Sequence, residues 1–325
     1  MIEFPEVDPA GDVLSDDYDS PWKAAIERFF PEFMAFYFPT AHSQIDWTLP
    51  YEFLDQELMA VVRDAELGKR LVDKLVKVMG INGNEDWLYV HIEVQGNMQA
   101  KFAKRMFVYN YRLFDRYDKP VASMAILADD SPDWKPDGFG FEVLGCQHSI
   151  KFPIAKLSDY WNDMDGLLSN DNPFALITAA HLLTQRTKGK PEERFEAKRK
   201  LVRMLYDRAW EKQQIIDLLF VLDWLMWLPD YLSEAFRQEV HTIEEVKGMH
   251  YVTSFEKLSR QEGRQEGRQE GEAVMLRLML THCFGELPAE SDARLQGASE
   301  DQLRLWGTRL FSAATLDDIF RDATH

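Results

Sequence analysis

The stretch Trp87-Leu88-Tyr89-Val90-His91-Ile92-Glu93-Val94-Gln95 places the tightest constraint on the fold. Val, Ile, Tyr and Trp favour extended backbone. From Leu88 to Val94 the run is almost continuously apolar, the pattern of a strand covered on both faces rather than one turned half to water. Glu93 and Gln95 stand at i and i+2 and therefore share one face. An acid and an amide at a hairpin edge usually just reach water. Here the surrounding apolar run weighs against that, because a carboxylate at the end of a buried strand is costly unless it is paired or bound to a metal.

Just upstream, Asp73 opens a shorter run, Leu75-Val76-Lys77-Val78-Met79, and Asn82-Gly83-Asn84 supplies a turn. Antiparallel pairing of the two runs brings Asp73 beside Glu93. After Gly96-Asn97 the spacing predicts a helix from about Met98 to Tyr117, with Phe102, Met106, Tyr109 and Leu113 on one apolar stripe. Lys101, Arg105, Arg112 and Arg116 fall together on another face. Such a face is most often simply solvated; the functional reading sets it beside the acids. Val121–Ala128 reads as a buried strand that ends at Asp129-Asp130-Ser131-Pro132. Residues 133–160 hold a Gly-rich hairpin signal and a strand-like stretch near Ile150–Leu157.

Asp73, a strand, Glu93-Val94-Gln95 and an amphipathic helix, in that order, resemble the PD-(D/E)XK nuclease superfamily. More narrowly, the chain is similar to the bacterial Rpn-type group of recombination-promoting nucleases and transposase-like proteins. Leu71-Val72-Asp73-Lys74-Leu75-Val76-Lys77-Val78 and His91-Ile92-Glu93-Val94-Gln95 carry most of the likeness, and residues 107–117 extend it. The group commonly has Glu-x-Gln where other members have Glu-x-Lys. The resemblance implies an α/β fold: a restriction-endonuclease-like central mixed sheet flanked by helices, then a helical region and a small C-terminal helical module. It also implies Mg²⁺ (or Mn²⁺) held by Asp73, Glu93 and the carbonyl of Val94, with Asp73, Glu93 and Gln95 catalytic. DNA is the implied partner, with Lys101, Arg105 and Arg112 facing it.

Gln95 changes the chemistry. A neutral amide orients water or phosphate by hydrogen bonds but brings no positive charge. Lys74, Lys77, Lys101 and Arg105 are the candidates for the missing cation. Glu32 and Glu57 are candidates for the additional helix-borne Glu often found in the superfamily. His91 shares a face with Glu93 and can join the site, although a histidine in such a run is more often a satisfied core residue. The eight histidines are scattered without metal-ligand spacing, and there is no Gly-rich phosphate loop and no nucleophile elbow.

The net charge of −18 argues against tight nucleic-acid binding, which rests on neutralising phosphates. The charge is uneven, however: residues 101–119 hold six bases against two acids, and residues 186–212 hold ten against five, including Lys198-Arg199-Lys200. Cys146 and Cys283, far apart, make no disulfide framework or zinc site, as expected of a cytoplasmic protein. The acidic N-terminus is unlike a signal peptide, and no apolar run is long enough for a bilayer.

The expected organisation is an acidic flexible tail (1–20), a nuclease-like core (21–165), a helical extension (166–256), an Arg-Gln-Glu-Gly repeat linker (257–272) and a C-terminal helical module (273–325). Ser20-Pro21 is expected to cap a helix running to Phe38, kinked or broken at Pro31. A further helix is expected from about Glu52 to Arg63. The apolar stretch Ile215–Leu228 reads as a buried helix or an oligomer contact, and the C-terminal module as an interaction or homo-oligomerisation unit. The leading reading is a metal-dependent DNA endonuclease linked to recombination or mobile elements. The alternative is a weak or inactive nuclease-fold protein acting through self-association or a protein partner.

Overall fold

The computed structural model describes residues 19–54, 72–81 and 87–248, and between 273 and 320 all but 286, 297, 299, 311, 312 and 314. The segment 1–18, the turn Asn82-Gly83-Asn84, Glu57 with most of the expected helix Glu52–Arg63, and the 257–272 repeat lie outside the described residues.

The helical pattern beginning at Trp22 forms two helices, α1 (Asp19–Arg28) and α2 (Phe30–Tyr37), followed by a short α3 (Pro39–His42). The break falls at Phe29, and Pro31 sits in the first turn of α2, where a missing N–H costs nothing. Asp19 and Ser20 are already helical, so Ser20 is not the N-cap that the sequence suggests. Glu52 and Phe53 are not helical either. As β1 they pair with Lys77 and Val76 of β2 (Val72–Met79).

The fold is mixed α/β, with a five-stranded mixed sheet in the order β1-β2-β3-β4-β7. β2 runs antiparallel to β3 (Trp87–Gln95); β3, β4 (Val121–Leu127) and β7 (Ile154–Lys156) run parallel. Parallel neighbours need a crossover, and between β3 and β4 it is α4 (Phe102–Tyr117). β5 (Gly138–Val143) and β6 (Cys146–Lys151) form a separate hairpin. Its two-residue turn has Leu144 and Gly145 both at positive φ, 52° and 79°.

Both faces of β3 are covered, as its apolar run requires. On one face, Val90, Ile92 and Val94 join Val76, Met124 and Ile126 in a large core with Trp22, Ile26, Phe30 and Phe33 of α1 and α2. On the other, Leu75 and Tyr89 meet Leu113 of α4, while Ala125 and Leu127 meet Phe102 and Met106. The four stripe residues of α4 are all fully buried.

A 3₁₀ turn and five helices follow: α5 (Met164–Ser169), α6 (Pro173–Arg186), α7 (Pro191–Asp207), α8 (Lys212–Leu225) and α9 (Asp230–Lys247). Phe174, Leu201, Leu218 and Leu222 belong to the same core as Val90 and Ile126. Packing therefore runs across the 165/166 boundary drawn from the sequence, because the apolar sheet face is too large for α1 and α2 to cover alone. The apolar stretch beginning at Ile215 is a buried helix within the chain. Lys198 of the basic run is itself buried and bound to Asp223 at 2.6 Å, so it does not face a nucleic acid. Among the described residues no helix is long and apolar enough to cross a membrane.

The chain forms two compact units, one within 5–255 and the other taking in 256–325. In the second, a helix over 273–284 ends at Gly285 (φ 83°) and is followed by helices Ala289–Gln296, Glu300–Leu310 and Leu316–Phe320. Leu276, Leu280, Leu295, Leu303, Trp306 and Phe320 form its own small core.

Burial of His181 on α6 gives the first unit an acid-sensitive point. Its Nε2 lies 3.0 Å from the carbonyl oxygen of Ala128, at the end of β4. Burial pushes its pKa down to about 4, only partly opposed by that carbonyl. The unfolded chain binds this proton below about pH 6.5, whereas the folded chain does not until about pH 4. Stability is therefore full above pH 6.5 and is lost as pH falls through that window, by up to ~3 kcal/mol. Urea unfolding of wild type and His181→Gln at pH 7 and pH 4.5 checks this: the variant loses less stability between the two. Equal losses contradict it.

Candidate functional site

The register between β2 and β3 places Asp73 directly opposite Glu93 and Leu75 opposite His91. Across the parallel pairing, Glu93 faces Ala125, His91 faces Ser123 and Gln95 faces Leu127. Residues paired across strands share a face. The two acidic positions therefore sit side by side on the sheet face covered by α4. The Asp73 side chain lies outside the described residues; its backbone register is within them.

Glu93 is fully buried, and its partner is a cation from the crossover helix: Arg105 Nη2 donates to Glu93 Oε1. The same nitrogen donates to Gln95 Oε1 at 2.6 Å, and Nη1 donates to Gln99 Oε1. Gln95 Nε2 donates to the Asn97 carbonyl at 2.6 Å. Both ends of the Gln95 amide are thus used, with its oxygen turned to the guanidinium. This accounts for Gln rather than Lys at position 95. A lysine at 95 would confront Arg105 charge to charge, whereas an amide oxygen accepts from it. The positive charge of the site stands on the helix instead of the strand. Ala125 beside Glu93 is a methyl only, which leaves the α4 side of the strand to the Arg105 side chain.

One step along β3, His91 Nδ1 lies 3.1 Å from Ser123 Oγ. Asn110 of α4 fixes that hydroxyl, donating through Nδ2 to Ser123 Oγ (3.0 Å) and to the Val121 carbonyl (2.8 Å). The imidazole packs edge-on to Tyr109 with centroids 5.8 Å apart. Burial, reinforced by the nearby Arg105 charge, pushes its pKa down to about 3, so the ring is neutral. Its Nε2 is buried with no hydrogen-bond partner. His91 is therefore not the satisfied core histidine that is the commoner case. At the end of β4, Asp129 and Lys156 form a buried ion pair at 2.5 Å, and Lys156 is the register partner of Leu127 on the row that includes Gln95.

Other expectations resolve differently. Lys74 projects from the opposite face of β2, bound to Glu27 of α1 and 5.5 Å from the Phe53 ring centre, so it is not the site's cation. Lys77 shares the site's face but lies four residues along, over Trp87 at 4.4 Å. Glu32 belongs to α2, beneath the other face. Val94 turns its side chain into the large core, with Val72 and Ile126 as register partners on either side. Lys101 is exposed and Arg112 half-buried, whereas Arg105 leaves that basic face. Position 105 lies about 40° around the helix from Tyr109, at the flank of the buried stripe, and there Glu93 and Gln95 hold its guanidinium.

Opposed acidic positions on two strands are the hard oxygen donors that a divalent cation takes. Among the described residues, no group of three His, Cys, Asp or Glu side chains gathers as a metal cluster. A cation here would be held by Asp73 and Glu93, and it would share Glu93 with Arg105. Ser123 and Asn110 carry no sequence signal as site residues. Their part follows from the β3–β4 register and from Asn110 facing the sheet. No family model matches the chain, no curated protein matches it, and no solved structure matches it.

Proposed function

We propose that this chain is a divalent-metal-dependent DNA endonuclease with a restriction-endonuclease-like core of the PD-(D/E)XK type. The observation that carries this reading is the Asp73–Glu93 register on a sheet face that also holds the Arg105 guanidinium. Mg²⁺ or Mn²⁺ bound by Asp73 and Glu93 would supply a more acidic water and offset charge on the phosphate. The chain's own residues do the rest. Arg105 sets its guanidinium directly beside Glu93, so the site's cation is bound to one of the two acids. Gln95 orients Arg105 through its amide oxygen. Lys101, exposed, and Arg112, half-buried, are the candidates for DNA backbone contacts. The acidic remainder of the chain keeps such contacts local.

A second reading has one observation in its favour. Arg105 already balances Glu93, and Gln95 is engaged at both ends, so this cluster is stable as a purely structural lock. In that case the protein acts through self-association or a protein partner.

Supercoiled plasmid DNA separates the two. The endonuclease reading predicts nicking by the full chain with Mg²⁺ or Mn²⁺ and none with EDTA. Folded protein that leaves the plasmid intact with both metals contradicts the nuclease and supports the structural lock.

A further inference from the structure

We propose that His91 is a third metal ligand, through Nε2, and that it gives this site a preference for Mn²⁺ over Mg²⁺. The proposal rests on the metal site described above and adds to it a residue and a metal class. Three observations carry it.

The first is an unmet nitrogen. His91 is fully buried, and its Nε2 has no hydrogen-bond partner. A buried polar atom left unmet costs about 1–3 kcal/mol, so its retention calls for a ligand. The second is the way the ring is held. Asn110 anchors the Ser123 hydroxyl, and Ser123 engages Nδ1. Metal-binding histidines are typically held this way: the second ring nitrogen donates to a fixed acceptor, leaving the coordinating lone pair on the first. The hydroxyl oxygen can accept from Asn110 and from Nδ1–H together. The third is placement. His91 and Glu93 stand at i and i+2 on one strand, about 7 Å apart and on one face. A metal about 2 Å from each ligand can bridge that interval.

The chemical consequence is selectivity. Two carboxylates alone suit Mg²⁺, which prefers hard oxygen and keeps its waters. A neutral imidazole adds affinity for Mn²⁺ and the later first-row ions.

Calorimetric titration of the full chain with MnCl₂ and with MgCl₂ tests this. Wild type is expected to bind Mn²⁺ more tightly than Mg²⁺. His91→Gln is expected to weaken Mn²⁺ by at least about tenfold while changing Mg²⁺ little. Ser123→Ala, which leaves the ring but frees Nδ1, is expected to weaken Mn²⁺ by about tenfold. A second readout needs no variant to fold. Proton NMR of the Co²⁺-loaded wild type should show a strongly shifted, solvent-exchangeable imidazole N–H, the Nδ1–H of a ring coordinated through Nε2. Absence of that signal, or unchanged Mn²⁺ binding in folded His91→Gln, overturns the proposal. If Glu93→Gln abolishes binding while His91→Gln does not, only the His91 ligand falls. If wild type binds neither Mn²⁺ nor Mg²⁺, the metal site falls with it.

Discussion

Arg105→Met will destabilise the 5–255 unit by about 3–5 kcal/mol, as loss of one partner from a buried ion pair does. Glu93 is fully buried and Arg105 nearly so, and the guanidinium also binds Gln95 and Gln99. Without it the Glu93 carboxylate keeps its desolvation cost and loses its main compensation. Met fills much of the same volume, so the loss reports charge more than packing. The double variant Arg105→Met/Glu93→Gln removes the charge problem and recovers most of the stability. Urea unfolding of both variants checks this. A single variant within about 1 kcal/mol of wild type contradicts the buried pair.

Asp73→Asn is expected to move stability and activity in opposite directions. The register sets Asp73 against Glu93, and like charges directly opposed on a sheet are unfavourable. Neutralising position 73 will therefore raise metal-free stability by about 0.2–1 kcal/mol. On the proposed endonuclease reading the same change removes a metal ligand and will lower plasmid cleavage by about a thousandfold, ~4 kcal/mol of transition-state stabilisation. It will also reduce the stabilisation that Mn²⁺ confers on folding, because that stabilisation scales with binding to the native state. Cleavage that persists in Asp73→Asn, or a fall in metal-free stability, counts against Asp73 as a ligand held at functional cost.

The central strand was readable in the sequence because its run was apolar on both faces, which only a covered strand can satisfy. The Asp73–Glu93 pairing was readable because a turn signal separated a short strand run from a longer one, and the structure brings the two positions together in register. The stripe Phe102, Met106, Tyr109 and Leu113 was equally plain, as helical periodicity makes it. Arg105 was harder. Periodicity groups it with Lys101 and Arg112, and only the tertiary presence of Glu93 and Gln95 draws it inward. β1 was misread as helix because two residues are too few to show any period. The helical character from α6 onward is legible in the sequence, but not the place of those helices on the sheet. Which helix covers which face is a long-range packing choice that no local pattern encodes. The setting of His91 was invisible for the same reason: Ser123 and Asn110 reach it from elements that follow in the chain.

A divalent cation between β2 and β3 is the claim on which the rest depends. Anomalous diffraction at the manganese edge from crystals grown with Mn²⁺ measures it directly. The expected result is a peak within ligand range, about 2.0–2.3 Å, of oxygens from both Asp73 and Glu93, with His91 Nε2 completing the protein ligands. A well-ordered structure with Glu93 still locked to Arg105 and no peak on that face would contradict it.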